Sequence, residues 1–303
     1  MKNILIKHSH KAYLPQIEAA VSYFENRDVP FQLINYDQSP EADEREADAI
    51  WSFPGIEYRN QLKIPRIHEY ASLSTGYFPK VKNRLKKVVN TRPDLRIFLN
   101  ELVEQAYQFS DHVPSIQRDM GVHTSFFNQQ LTKKSYDFVY CGSISKSRGI
   151  HKVLNHFKTH QKKHSLLLIG AVEDDLYNRF KDESNITFTG KIPYSDVPSV
   201  AAQAIYGLNY MPDQYPFNIQ TSTKLLEYIA LDLHVITTRY QWAQQFQKKY
   251  HLPFTFVNEN LSDLVIKEPP LISANYDHSL KQCLTWDYVF LHSGLEEALS
   301  SLV

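Results

Sequence analysis

Two short stretches hold the residue types that grip a phosphate ester and a sugar. The first is TSTKLLEY, residues 221–228. Thr221, Ser222 and Thr223 bring hydroxyls to a predicted helix start, Lys224 adds a positive charge, and Glu227 follows three residues later on neighbouring helical surface. If Ser222 or Thr223 caps that helix, its free first-turn N–H groups and its dipole attract an anion. A carboxylate beside them can accept two hydrogen bonds from a sugar diol. Leu225, Leu226, Ile229 and Ala230 form the opposite, core-facing stripe. The same spacing suits a capped helix with a Lys–Glu surface pair, so spacing alone leaves both readings open.

The second stretch is YCGSISKSRGI, residues 140–150. An apolar run ends at Gly142, and Ser143, Ser145, Lys146 and Arg148 follow before a predicted helix. In an open α/β sheet, ligands collect beyond the carboxyl ends of the strands. There the planar fork of Arg148 suits a diphosphate, binding two oxygens at once. Gly170 and Gly190 close later runs and would let a ligand approach the backbone; GKIPYSDVPSV after Gly190 would lie near a base or ribose. The glycine spacing of a P-loop or a dinucleotide fingerprint is missing. Each feature alone is equally an ordinary turn.

The elements that must position these residues follow from periodicity. Strands are expected at 3–7, 31–36, 49–53, 64–70, 136–142, 165–170, 185–190, 204–211, 233–238 and 254–257, with a shorter one running into a helix over 96–107. Ile150, Val153, Leu154 and Phe157 fall at i, i+3, i+4 and i+7, so a helix follows Gly142 closely. Further helices are expected at 13–26, 173–182, 195–203 and 222–231. Short apolar runs alternating with helices indicate an α/β protein with parallel sheets. In the terminal TWDYVFLHSGLEEALSSLV, Leu291, Leu295, Ala298, Leu299 and Leu302 form one predicted stripe, with Asp287 placed to cap it. The acidic QSPEADEREADA (38–49) reads as a solvated loop or surface helix.

Bulk numbers exclude several classes. The chain has 303 residues, more than one ordinary core and enough for two domains of roughly 150 residues. With 43% hydrophobic and 22% charged residues it is globular, and 33 basic against 33 acidic residues give no basic field for nucleic acid. Cys141 and Cys283 form neither a disulfide framework nor a metal spacing, which points to a reducing cytosol. No window approaches the ~20 apolar residues of a membrane span, and the five-residue apolar run at the N-terminus is too short for a signal peptide.

Taken in order, FVYCGSISKSRGIHKVL, LLLIGAVED, ITFTGKIPYSDVPSV and STKLLEYIALDLHVIT resemble the donor-binding domain of retaining GT-B glycosyltransferases of the family 4-like group, the bacterial polysaccharide and glycoconjugate type. The resemblance covers roughly 135–240; RDMGVHTSFF (118–127) looks like the family's interdomain element, with a linker near 128–135. It implies a GT-B fold, two Rossmann-like doubly wound domains facing across a cleft: residues 1–133 on the acceptor side, with a helix at 288–303 packing back on them, and a donor-binding domain at 134–287. It implies transfer of a sugar from a nucleotide diphosphate sugar, a UDP-sugar above all, to an acceptor hydroxyl with retention and without metal. Glu227 would hold the ribose, while Ser222, Thr223 and Lys224 would contact the diphosphate. Arg148 would stabilise the leaving diphosphate as charge develops. Gly142, Ser143, Ser145, Gly170, Gly190 and Asn218 complete the expected donor site. Two departures stand out. The family's second glutamate, eight positions before Glu227, is Ile219 here, between Asn218 and Gln220, and its frequent arginine after the strand-end glycine is Ser143.

From the first domain, His10 and His68 are the candidates for a catalytic polar group facing the donor sugar, with His8 and Glu69 beside them. His8-x-His10 at a strand end is also the form of a metal pair, which would make the protein a hydrolase, although the remaining ligands are not evident. A non-catalytic GT-B partner subunit is a third reading, motivated by Ile219 and Ser143. FPKVKNRLKKVVNTR (78–92) sets Val81, Leu85, Val88 and Val89 against Lys80, Lys82, Arg84, Lys86 and Lys87. A solvated helix face explains that pattern most simply; peripheral contact with an inner membrane, near a lipid-linked acceptor, is the alternative.

Overall fold

The computed structural model describes residues 1–8, 14–36, 43–54, 63–129, 133–266 and 273–303. The chain divides into two compact units: unit 1 comprises Met1–Gly121 and Thr285–Val303, and unit 2 comprises Val122–Leu284.

Unit 1 contains, in order, β1 (Lys2–Lys7), α1 (Pro15–Glu25), β2 (Phe31–Asn35), β3 (Ala49–Ser52), β4 (Arg66–Tyr70), α2 (Pro79–Val89), β5 (Leu95–Phe98), α3 (Glu101–Tyr107) and β6 (Ser115–Gln117). Its sheet runs β2-β1-β3-β4-β5-β6, every described pairing parallel. The central strands are apolar on both faces, as a sheet covered on both sides requires: Ile4, Leu5, Ile6, Ala49, Ile50, Trp51 and Ile67 are all buried. One carboxylate interrupts this. Glu69, buried in β4, pairs with buried Arg118 and accepts from the Trp51 indole nitrogen at 3.0 Å.

In unit 2 the order is β7 (Tyr136–Cys141), α4 (Ile150–Thr159), β8 (Leu166–Ile169), α5 (Asp174–Phe180), β9 (Ile186–Gly190), α6 (Val197–Ala201), β10 (Ala204–Asn209), α7 (Thr223–Ala230), β11 (His234–Thr238), α8 (Gln241–Tyr250), β12 (Thr255–Val257) and α9 (His278–Cys283). The sheet runs β12-β11-β10-β7-β8-β9, again with parallel pairings. Strand order reverses between β7 and β10, so their carboxyl ends flank a topological switch point, the usual place for a ligand. Ile150, Val153, Leu154 and Phe157 of α4 are fully buried, as their spacing predicts.

The terminal stretch, α10 (Trp286–His292) and α11 (Leu295–Ser300), departs from the predicted single stripe. Gly294, at φ 70°, breaks it into two helices. Thr285, not Asp287, caps the first, accepting from the Tyr288 N–H at 3.2 Å. Leu291 faces solvent at 57% exposure, and the buried stripe is Trp286, Phe290, Leu295 and Leu299. These four join the core of unit 1 with Ile4, Phe24, Phe31 and Trp51. Phe290 lies 5.1 Å from the Tyr23 ring and 5.4 Å from Trp286. Truncating a buried Phe leaves a cavity and costs about 3–5 kcal/mol. Phe290→Ala should therefore lower the denaturation midpoint strongly in urea titration, whereas Leu291→Ala should leave it nearly unchanged.

Candidate active site

Two glycines set the floor of the site. Gly142 and Gly170 end β7 and β8 at φ 129° and 140°, in the region that favours glycine. A Cβ on Gly170 would stand 2.1 Å from the Gly142 carbonyl oxygen, so the two strand ends touch through bare backbone. Gly170 in turn donates its N–H to the Gly190 carbonyl at 3.0 Å. The loop after β7 is stitched to the one after β8 by Ile144 N–H to Ala171 O and Glu173 N–H to Ile144 O, at 2.8 and 3.0 Å.

Helix α7 supplies the wall. Its approach to the sheet is set at Gly207 of β10, where a Cβ would lie 2.4 Å from the Tyr228 ring. The Tyr228 hydroxyl accepts from the Cys141 N–H at 2.9 Å, tying the helix to the end of β7. Ser222 occupies the cap position, yet its hydroxyl makes no capping bond. It donates instead to buried Asn209 Oδ1 at 2.8 Å, while the Asn209 amide donates to Thr237 Oγ1 and the Tyr240 hydroxyl at 2.9 and 3.0 Å. This corrects the expectation that a hydroxyl caps α7. The helix opens at Thr223 and Lys224 with no side-chain cap on its N–H groups.

Between floor and wall lies a cavity of about 400 Å³ within unit 2. Of the residues singled out from sequence, Gly142, Ser143, Arg148, Gly170, Ser222, Thr223, Lys224 and Glu227 line it. Ser145 lies outside, buried against Ser147 Oγ at 3.0 Å and accepting from the Arg148 N–H at 3.3 Å. Gly190 contributes to the strand-end ladder rather than the lining, and Asn218 bonds Asp213 at 3.2 Å. Lys146 pairs with Asp175. His68 belongs to unit 1, where it is fully buried in β4 beside Tyr70, with no surface to offer a ligand. His10 lies outside the described residues, as does the centre of the expected linker; His8 meets the edge of Phe53 at 6.4 Å. Among the described residues no three His, Cys, Asp or Glu side chains gather to hold a metal.

The structure also adds lining residues that sequence reasoning passed over, chiefly Tyr194, Gln220 and Lys191. The Tyr194 hydroxyl donates to Glu227 Oε1 at 2.9 Å and so aims the carboxylate. Its position in the loop after Gly190 was the only signal for it. The Gln220 amide nitrogen is buried with no hydrogen-bond partner among the described residues.

Electrostatics single out two of these groups. Lys224 Nζ lies 4.9 Å from the Tyr140 ring centre, and its stem passes beside Gly142. Loss of hydration, then the Arg148 charge, pulls its pKa down to about 7. Loss of hydration likewise pushes Glu227 up to about 7, against the opposing pull of the Tyr194 hydrogen bond and Lys224. Both side chains keep an opening to the cavity, half-buried by surface area, while protein crowds them on the other sides. Arg148 stacks over Phe217 at 4.8 Å. Two cations and an acid thus face one cavity, and Lys224 and Glu227 carry their charges there poorly solvated, an arrangement typical of sites rather than of ordinary surface.

No protein-family model matches the chain, and no curated protein matches it in sequence. Solved structures do match in three dimensions. HepE from Anabaena, crystallised with UDP and glucose, superposes with a TM-score of 0.71 at 12% identity, covering 99% of this chain and 100% of that one. Sucrose-phosphate synthase from Thermosynechococcus elongatus gives 0.59 at 13% identity, over 100% and 95% of the two chains. WaaG, a glycosyltransferase involved in lipopolysaccharide biosynthesis, gives 0.58 at 13%, over 99% of each. The fold is GT-B. At this identity the likeness concerns the fold, and the chemistry rests on the cavity.

The raised pKa of Glu227 has a measurable consequence. Its folded value, about 7, lies above its ordinary 4.5, so the fold prefers the neutral acid. Stability relative to Glu227→Gln is then lost as pH rises from 4.5 and is fully lost above 7. The Gln variant should melt close to the parent at pH 5 and about 2–4 °C higher at pH 8, for roughly 1 kcal/mol after allowing for solvent in the cavity. Equal melting at both pH values would show that the carboxylate is not strained by burial.

Proposed function

We propose that the protein is a glycosyltransferase that takes a sugar from a nucleotide diphosphate sugar, with UDP-sugars the preferred class, and transfers it to an acceptor hydroxyl. The observation that carries this reading is the convergence of the uncapped α7 start, Lys224, Arg148 and Glu227 on one cavity beyond the switch-point strands. The GT-B fold, shared with HepE structures solved in complex with UDP, supports it. In this reading the Thr223 and Lys224 N–H groups, the Lys224 ammonium and the Arg148 guanidinium receive the diphosphate. Glu227, held by Tyr194, accepts from the ribose hydroxyls.

Catalysis then consists largely of stabilising charge that builds on the departing diphosphate. Lys224 and Arg148 are already placed, and Lys224 is held short of water, so little reorganisation is needed as the glycosidic bond breaks. A bound diphosphate raises the pKa of Lys224, and binding above pH 7 therefore takes up a proton. Below pH 7, protonation of Glu227 removes an acceptor. Retention of anomeric configuration and independence from metal follow from the likeness of the four motifs to retaining family members. Residues 1–133 would serve the acceptor and 134–287 the donor. The apolar side chain of buried Ile219 offers no polar contact to a donor sugar, whereas Gln220, at the cavity wall, carries an amide nitrogen with no hydrogen-bond partner among the described residues and is the group we assign to that contact.

Ile219 also favours a second reading, a non-catalytic binding subunit of the same fold. The two separate on one assay, since only the enzyme consumes a nucleotide sugar.

Titration with UDP should raise the melting temperature. Glu227→Ala should abolish that shift, and Arg148→Ala should weaken binding about tenfold or more, as loss of a charge-assisted contact does. Affinity should peak near neutral pH and fall on the alkaline side by up to about tenfold per unit. If no nucleoside diphosphate at millimolar concentration stabilises the protein, the proposal fails.

A further inference from the structure

Helix α2 is turned the wrong way round for a soluble domain. Its one buried residue is polar: Asn83, 4% exposed, accepts from the Ser74 N–H at 3.0 Å. On the same inward side, Lys87 donates to the Gln108 carbonyl at 2.6 Å, and Lys86 is partly desolvated. The apolar stripe faces out. Val81, Leu85 and Val88, at i, i+4 and i+7, are 61%, 51% and 85% exposed, and Tyr77 and Phe78 extend the stripe at 89% and 75%. Five of the ten large apolar side chains that are exposed among the described residues thus fall within twelve positions. Phe78 even adopts a left-handed φ of 54°, strained for an aromatic residue, and gains no burial from it.

The charge around the stripe identifies what would cover it. In a chain with 33 basic and 33 acidic residues, positions 70–93 contain six cations, Lys80, Lys82, Arg84, Lys86, Lys87 and Arg92, and no acid. At 100° per residue, Lys80 and Arg84 flank the stripe on one side and Lys82 on the other. Long cationic side chains beside an outward apolar ridge can bury their stems and keep their heads at a polar boundary. A protein partner would have to match that ridge with an acidic rim. A bilayer with anionic headgroups supplies both layers at once.

We propose that the Tyr77–Val88 face docks the protein on an anionic lipid surface, with the apolar stripe in the acyl boundary and the flanking cations at the headgroups. The inference rests on unit 1 alone and stands apart from the donor reading, so UDP binding serves as an independent control on folding.

The test is co-sedimentation of the full chain with phosphatidylcholine vesicles, with and without one-third phosphatidylglycerol. Binding should require the anionic lipid and weaken with salt. The combined change Val81→Ser, Leu85→Ser, Val88→Ser should abolish it while lowering the melting temperature little, because these side chains are largely exposed. The combined change Lys80→Ser, Lys82→Ser, Arg84→Ser should reduce partitioning by about a hundredfold at low salt. The proposal is overturned if the parent ignores anionic vesicles, or if the serine stripe variant binds as well as the parent. It is equally overturned if the parent is a dimer in lipid-free sedimentation velocity and that variant is a monomer, since the stripe would then belong to a second copy.

Discussion

The Gly142–Gly170 contact is the constraint on which the cavity geometry of unit 2 depends. With no side chain between them, the ends of β7 and β8 close to backbone distance, and Gly190 extends the row by one hydrogen bond. A strand end that flat leaves an open shelf, and only over such a shelf can α7 present its first turn and Lys224 without obstruction. Gly207 repeats the device under the helix, where the missing Cβ makes room for the Tyr228 ring. Bare backbone at Gly142, Gly170 and Gly207 thus lets a helix start and two strand ends meet around one cavity.

On that shelf the protein keeps charges it would be more stable without. Lys224 and Glu227 both sit near neutrality because the surrounding protein withholds water from them. The Asn209–Thr237–Tyr240–Ser222 network holds the helix start in place while those charges are poorly hydrated. Its members are fully or nearly fully buried and bonded to one another. A network satisfied internally is rigid, so this wall of the cavity is built before anything enters it.

Much of this could be read from the residues. Strands buried on both faces write themselves as continuous apolar runs, which is why β7, β8, β10, β11 and the α4 stripe were legible. The three-residue β6 was not, being an edge strand with two exposed residues and no run to detect. Thr285 and Asp287 are both good capping residues, and only the backbone decides between them. The turn of Ser222 toward Asn209 depends on a partner thirteen positions away across the fold, beyond the reach of any local pattern. Tyr194 opens a single 3-10 turn and Gln220 follows another, both too short to show a period, so their aim was not legible. Periodicity found the stripe on α2 but not its direction, because neighbouring elements choose which face of a helix is covered.

The placement of α10 and α11 has a consequence for how the molecule comes to be folded. Unit 2 is one unbroken stretch, whereas the core of unit 1 needs Phe290, Leu295 and Leu299 from the far end of the chain. A ribosome therefore delivers everything unit 2 requires while the older half still lacks part of its interior. The first half synthesised is the last to be completed. Until then β1 and α1 wait with an open apolar face, and the inserted unit matures first, reversing the usual order in which domains fold from the N-terminus.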